Sequence, residues 1–367
     1  MLRFVLSTCL FSIVVTGTFA QSSHIAVEWN EQVLEAIRND FARPTVHARN
    51  LLHSSTIMYD CWAAYDSTDS KQYLLGNTIG GFSSEFDFDS FDQIIPDNST
   101  DRMLAQELSM SYGVYRLIKH RYLTSPQWSS TLENINAQME SQGLDTLLVS
   151  TDYLNDGPAA LGNYIAEQVI AFGMQDGANE GGDYASTCYS SINPNILPEE
   201  PGTNGIIDPN HWQAVELSVS IDQSGELITQ VPPFLGPEWG EVQGFALRDS
   251  NLTEVIVDDC TFLTYYNPGP PVYLDTTVAS NFDESLYKWG FGMVIQWSGH
   301  LDPNDGVMWD ISPASLKYNG ETPPVEEFAD FYDWERGGLV SWHNEDGSFG
   351  GNGHEINPYT GLPYEPN

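Results

Sequence analysis

Residues 29–66 read WNEQVLEAIRNDFARPTVHARNLLHSSTIMYDCWAAYD, and this stretch decides the fold class. Val33, Leu34 and Ile37 share one face of a helix expected over residues 27–40. Pro44 suits the first turn of a second helix, where its missing N–H is not needed. In that second helix Ala48, Leu51, Leu52, Met58, Tyr59 and Trp62 recur at helical spacing, with Ser55 completing a small-residue seam. That stripe is the face expected to be buried. Cys61 is expected to lie on a buried face as an inert core thiol.

Upstream, Arg3, the apolar run from Phe4 to Val15 and the small residues before Gln21 read as a secretory signal cut near Ala20. The run is too short to cross a bilayer easily. Cys9 lies inside it, without the context of a lipoprotein cut site. No later stretch is apolar enough to span, so the chain reads as secreted or periplasmic and not as an integral membrane protein.

Downstream, residues 66–98 read as a long excursion rich in Gly, Ser and Asp. Within it FDFDSFD (Phe86–Asp92) suits an exposed edge strand or an acidic loop. Ser99 or Thr100 can cap a third helix whose apolar face includes Leu104, Leu108, Tyr115 and Ile118. Ser125-Pro126 opens a fourth, carrying Trp128, Leu132, Ile135 and Met139. Asp156-Gly157-Pro158 opens a fifth, through Leu161, Ile165, Val169 and Phe172 to Gly173. From Gly177 the chain turns rich in Gly, Pro and Asn, with β-prone pieces at 215–221 and 226–231. A helix is expected to return at 282–299 with Leu286, Trp289, Met293 and Trp297 on one face, and a shorter one near 324–335. The expected organisation is a signal (1–20), a helical region (21–176), a loop-rich excursion with short strands (177–281), further helices of the same domain (282–336) and an irregular tail (337–367). The fold class is mainly α: a helical bundle with a long loop-rich middle.

Acids outnumber basic residues 51 to 13, a formal charge of −38. Such a chain repels nucleic acid and anionic membranes. The charge suits a salty or calcium-rich medium, and plain surface acidity explains it equally well. Cys61, Cys188 and Cys260 allow at most one intramolecular bridge. Cys188 and Cys260, in loop or strand contexts, are the expected pair. No Cys/His spacing suggests zinc. Asn98 (NST) and Asn251 (NLT) fit glycosylation sequons, which matter only in a eukaryotic secretory pathway.

Four segments in order carry a family resemblance: Trp29 to Asp66, then HWQAVEL (His211–Leu217) with FLGPEWGEVQGFAL (Phe234–Leu247), then QWSGHLDPNDGVMWDISPAS (Gln296–Ser315), then GNGHEINPYTGLPYEPN at the end. Together they resemble the bacterial and algal vanadium haloperoxidase-like branch of the type 2 phosphatidic-acid-phosphatase superfamily. The resemblance implies a helical-bundle enzyme binding vanadate, with hydrogen peroxide and a halide as reactants. It also implies an active-site set of Lys and Arg, then Pro-Ser-Gly-His, then Arg and His, because an oxyanion bearing several negative charges needs preorganised cations and donors. That ordered set is absent from the sequence. Only Arg336 follows Lys317. The expectation is therefore an N-terminal part whose catalytic region lies further on, with no catalytic or metal-binding residue assigned here. A non-catalytic secreted helical protein and an acid phosphatase of the same superfamily stand as alternatives. A helical bundle lacking its catalytic half should leave apolar faces uncovered, which predicts aggregation or a homo-oligomer.

Ser298-Gly299-His300 spells the oxyanion-turn tripeptide, but Trp297 precedes it instead of Pro, and a helix-ending turn explains it better. Arg38, Arg43, His47, Arg49 and His53 form one basic cluster, and Arg116, Lys119, His120 and Arg121 a second. Solvated ion pairs are the plain reading. The sharper one gives Arg43, His47 and Arg49 a supporting position behind an oxyanion pocket. Asp302, Asn304, Asp305 and Asp310 resemble a calcium loop in composition but not in spacing. His343, Glu345, Asp346, His354 and Glu355 read as a solvated polar run. No GxSxG, HExxH or Walker loop is present.

Overall fold

A computed structural model describes residues 24–66, 70–198 and 205–274, with short breaks at 222–224, 226, 229–230, 232–233 and 248, and positions 287, 288, 290–292 and 294. The chain forms two compact units: Met1–Ile207 with Gln213–Asn267, and Asp208–Trp212 with Pro268–Asn367. The described structure is mainly helical with loop-rich regions, as the sequence leads one to expect. The first unit holds α1 (Ile25–Arg38), α2 (Pro44–Ala64), α3 (Phe88–Asp92), α4 (Ser99–Arg121), α5 (Trp128–Ser141) and α6 (Gly157–Gly173). Among the described residues, three antiparallel hairpins accompany them: β1 (Thr78–Ile79) with β2 (Phe82–Ser83), β3 (Ser220–Ile221) with β4 (Leu227–Ile228), and β5 (Thr253–Val257) with β6 (Cys260–Thr264).

α2 begins at Pro44 as anticipated, but of its apolar stripe only Met58 is buried in the core and Leu52 partly covered. Leu51, Tyr59 and Trp62 are 37–41% exposed, and Ala48 and Ser55 also face out. The interior takes Val46, His47, Arg49, Asn50, His53, Ser54, Ile57, Asp60 and Cys61. Polar side chains can occupy a core when each finds a partner, and here the partners exist. α1 is likewise rotated: Trp29, Val33 and Ala36 are buried, Ile37 is partly covered and Leu34 faces out. Trp29 sets that rotation, because its indole donates to Ser111 Oγ at 3.0 Å inside the core. Cys61 is fully buried and unbonded, as expected, and burial pushes its thiol pKa well up.

The core lies between α2, α4 and α6, with Ile57, Tyr112, Val114, Leu117, Ile118, Leu161, Ile165 and Val169 at its centre. Each fully buried aliphatic side chain contributes about 1.5–3 kcal/mol. α4 and α6 touch backbone to backbone at Gly162, where a Cβ would fall 2.1 Å from the Ser109 carbonyl oxygen. No residue but glycine allows that approach. α5 buries Ile135 and Met139 as predicted, and α6 buries Leu161, Ile165, Val169 and Phe172. On α4, Tyr115 and Ile118 are buried and Leu108 is partly so, but Leu104 is 53% exposed.

The excursion after α2 is more ordered than its composition suggests. Asp60, buried in α2, accepts the backbone N–H groups of Tyr73 (2.5 Å), Leu74 (2.9 Å) and Leu75 (2.9 Å). This pins the returning loop and seats Leu74 and Leu75 in the core. FDFDSFD is not an edge strand. Asp87 caps α3 by accepting from Ser90 N–H at 3.0 Å, and Phe91 is buried against Tyr65. The cap of α4 is Asn98, one residue before the predicted Ser99, accepting from Asp101 N–H at 2.8 Å.

Beyond α6, the described strands β3 and β4 lie within the β-prone pieces, and the longest hairpin among the described residues, β5–β6, falls where no strand was expected. Asp258 and Asp259 turn it with φ of 49° and 67°, the double left-handed geometry of a tight two-residue hairpin turn. Cys188 and Cys260 are disulfide-bonded across 72 residues, which matches the expected pairing. Glu238 binds the same segment. Its carboxylate accepts from the N–H groups of Thr187, Cys188 and Tyr189 and from Thr187 Oγ1. Burial raises its pKa, but these hydrogen bonds outweigh it and bring the value down to about 2.

In the second unit Asn210 holds Leu274 by donating to its carbonyl at 2.9 Å and accepting its N–H at 2.6 Å. Tyr287, Lys288, Gly290, Phe291, Gly292 and Val294 are helical, within the helix expected at 282–299. The rest of that helix, the predicted signal, the Ser298-Gly299-His300 turn, the Asp302–Asp310 loop, the 324–335 helix, Lys317, Arg336 and the His343–Glu355 run lie outside the described residues. Among the described residues no helix is long and apolar enough to cross a membrane.

Candidate functional site

The two basic clusters meet, because α2 and α4 pack side by side and α6 ends beside them. Arg49 Nε donates to Asp176 Oδ2 at 2.5 Å. Its Nη2 donates to the Gly173 carbonyl at 2.7 Å and to Glu180 Oε2 at 2.8 Å. Arg121 Nη1 lies 3.1 Å from the same Glu180 oxygen and donates to Asn50 Oδ1 at 3.2 Å. His120 Nε2 pairs with Glu180 Oε1 at 2.9 Å. Both guanidinium side chains are enclosed, at 2% and 0% exposure. Gly173 lets them close on the end of α6: a Cβ there would sit 2.3 Å from Arg121 Nη2 and 2.7 Å from Arg49 Nη2.

Protonation follows from the donors. Arg121 Nη2 lies 2.9 Å from His53 Nδ1, and a guanidinium can only donate, so Nδ1 accepts. The His53 proton is then on Nε2, 3.5 Å from Asp176 Oδ2. Burial, then the charges of Arg121 and Arg49, hold the His53 pKa well below its usual value, so the ring is neutral. Burial likewise lowers the Arg121 pKa, with Arg49 adding like-charge repulsion. Burial alone would raise the Glu180 pKa. The hydrogen bond to His120 and the charges of Arg121 and Arg49 win, and it falls to about 2.

The loop that brings Glu180 is unusual in its backbone. Asn179, Asp183 and Tyr184 have φ of 55°, 53° and 60°, each in the left-handed region. Such residues cost about 1–3 kcal/mol each and persist where surrounding contacts hold them. Here Asp183 accepts from Arg43 Nη1 at 3.0 Å, and the Tyr184 ring lies 4.9 Å from the Arg43 guanidinium carbon and 5.9 Å from that of Arg49.

Of the three candidate supporting residues, Arg43 and Arg49 thus share this network. His47 stands apart, its Nε2 2.7 Å from the Phe41 carbonyl oxygen. Of the second basic cluster, His120 and Arg121 join. Arg116 instead donates to Asn163 and to the Leu148 carbonyl, and Lys119 lies over Tyr115. Sequence reasoning missed Asp176, Glu180 and Gly173. The available signal was electrostatic: two acids follow closely on the C-terminal end of α6, where the helix dipole disfavours them unless cations arrive from elsewhere.

Among the described residues, no group of three or more His, Cys, Asp or Glu side chains is arranged to hold a metal ion. The resemblance noted in the sequence implies vanadate, and the Arg49–Arg121 network as built does not fit it. Asp176 and Glu180 already neutralise both guanidiniums, and two carboxylates would repel a multiply charged oxyanion.

No protein-family model and no curated protein matches this chain. Solved structures do. The holo form of a bacterial vanadium-dependent chloroperoxidase matches at 16% identity and a TM-score of 0.38, over 56% of this chain and 40% of that one. The apo form matches at 16% identity and 0.39, over 56% and 41%. The chain therefore spans about two fifths of the length of these proteins.

Proposed function

We propose that the chain is the N-terminal helical portion of an exported vanadium-dependent haloperoxidase-like protein, one that oxidises halide with hydrogen peroxide in its complete form. The order of the four sequence segments across the chain carries this reading. The buried ion network favours a scaffolding part for the helical region, since its arginines are committed to the chain's own carboxylates. The apolar run ahead of Gln21 supports export, and so does the Cys188–Cys260 bridge, because such bonds persist in oxidising compartments. The exposed apolar stripe of α2 is compatible with a homo-oligomer. The deciding experiment is a bromination assay of the complete open reading frame with bromide, peroxide and vanadate. Turnover that requires vanadate supports the reading. Phosphate-ester hydrolysis inhibited by vanadate would replace it with the acid phosphatase reading, and neither activity would leave a non-catalytic helical protein.

A further inference from the structure

α2 carries two side chains with a formal charge, Arg49 and Asp60, and both are buried, at 4% and 0% exposure. From Ala48 onward the face it turns outward consists of Ala48, Leu51, Ser55, Tyr59 and Trp62. That face bears no charge, in a chain with 51 acids. It is also held in shape. Tyr59 Oη donates to the Lys71 carbonyl at 2.9 Å, and its ring lies 5.9 Å from that of Trp62.

The spacing of this face is symmetric about Ser55. Leu51 and Tyr59 stand four residues before and after it, and Ala48 and Trp62 stand seven. A two-fold axis demands such self-matching, because each residue then meets the counterpart of its own opposite. Two α2 helices laid antiparallel with Ser55 on the axis set Ala48 against Trp62 of the second copy, Leu51 against its Tyr59, and Ser55 against itself. The largest side chain meets the smallest, and the serine lets the helix axes come close at the crossing. An uncharged face is also where two copies of charge −38 meet with least repulsion.

We propose that α2 is a self-association surface, on which a second copy of this chain docks through an antiparallel α2 pair with Ser55 at the two-fold axis. The pair rests on the homo-oligomer allowed under the haloperoxidase reading, not on the halide chemistry. These five residues are fewer than the roughly 20–30 a side of a standard interface. The dimer is therefore weak, each monomer keeps its own core, and dilute protein unfolds as the monomer.

Sedimentation velocity of the whole chain should show a monomer–dimer equilibrium at micromolar to sub-millimolar concentrations. Association should tighten in about 1 M sodium chloride, where the screening length is about 3 Å. Ser55→Glu sets like charges against each other on the axis and should weaken dimerisation at least about tenfold. Ser55→Lys should do the same, and mixing the two variants should restore the dimer. Ser55→Cys should cross-link to a covalent dimer under mild oxidation, whereas Ala48→Cys, about 20 Å from its own counterpart across the pair, should not. Both positions are exposed, so the variants should keep the wild-type circular dichroism spectrum. A chain that stays monomeric throughout, association that weakens with salt, a dimer indifferent to either charge at Ser55, or equal cross-linking from Ala48→Cys overturns the proposal. None of these measurements involves vanadate, bromide or peroxide, so failure here leaves the bromination test standing, and the reverse holds.

Discussion

Replacing Glu180 by Gln tests whether the buried ion network stabilises the helical unit through charge. Glu180 receives Arg49 at 2.8 Å, Arg121 at 3.1 Å and His120 at 2.9 Å, and its side chain is only 9% exposed. Its pKa falls from 4.5 to about 2 on folding. A depressed carboxylate pKa stabilises the folded state above the unfolded pKa, and that stabilisation disappears as pH falls through the folded value. A drop of this size corresponds to about 3 kcal/mol at neutral pH and roughly 1 kcal/mol at pH 3. Glutamine keeps the shape and loses the charge, leaving two enclosed guanidiniums with Asp176 as their remaining carboxylate. Urea unfolding followed by circular dichroism, on both proteins at pH 7 and pH 3, gives the difference directly. Subtracting the wild type at each pH removes the titration of the other acids. The gap should shrink as the medium is acidified. A gap of equal size at both pH values, or one below about 1 kcal/mol at pH 7, would show that the network orders the loop without stabilising the fold by charge.

Gly173→Ala should cost about 1–3 kcal/mol in urea unfolding, since the new methyl group meets both guanidiniums; a neutral result would mean that the end of α6 can move away. Asp60→Ala leaves three backbone N–H groups without their acceptor, so it should destabilise by about 2 kcal/mol and speed hydrogen exchange at residues 73–75 first. Reducing the Cys188–Cys260 bridge reopens a loop of 72 residues and should lower stability by up to about 4 kcal/mol, read as an earlier unfolding midpoint in dithiothreitol. Ile57→Ala should cost about 2–5 kcal/mol while Leu51→Ala changes stability little, and comparable losses at the two positions would contradict the buried face assigned to α2.

The position of each long helix described in the first unit was legible, because 3.6-residue periodicity and end signals such as Pro44, Ser125-Pro126 and Asp156-Gly157-Pro158 depend on local chemistry alone. Which face of α2 is buried was not. Periodicity favours the stripe through Leu51, Tyr59 and Trp62, and the structure buries the stripe through His47, Arg49, Asn50, His53 and Asp60. A hydrophobicity pattern treats an arginine as solvent-seeking because it cannot register an acid more than 120 residues away. Arg49 meets Asp176 at a separation of 127 and Glu180 at 131, and His120 meets Glu180 at 60. The same blindness hid the cluster: each basic group reads as a solvated surface pair until α2, α4 and the end of α6 come together. The two errors have one cause. Once the charged stripe of α2 turns inward to meet Asp176 and Glu180, geometry forces the apolar stripe on the opposite face outward. The exposed Leu51, Tyr59 and Trp62 are therefore a consequence of the buried ion network, and perturbing Glu180 or Asp176 is the way to ask how firmly the orientation of α2 is held.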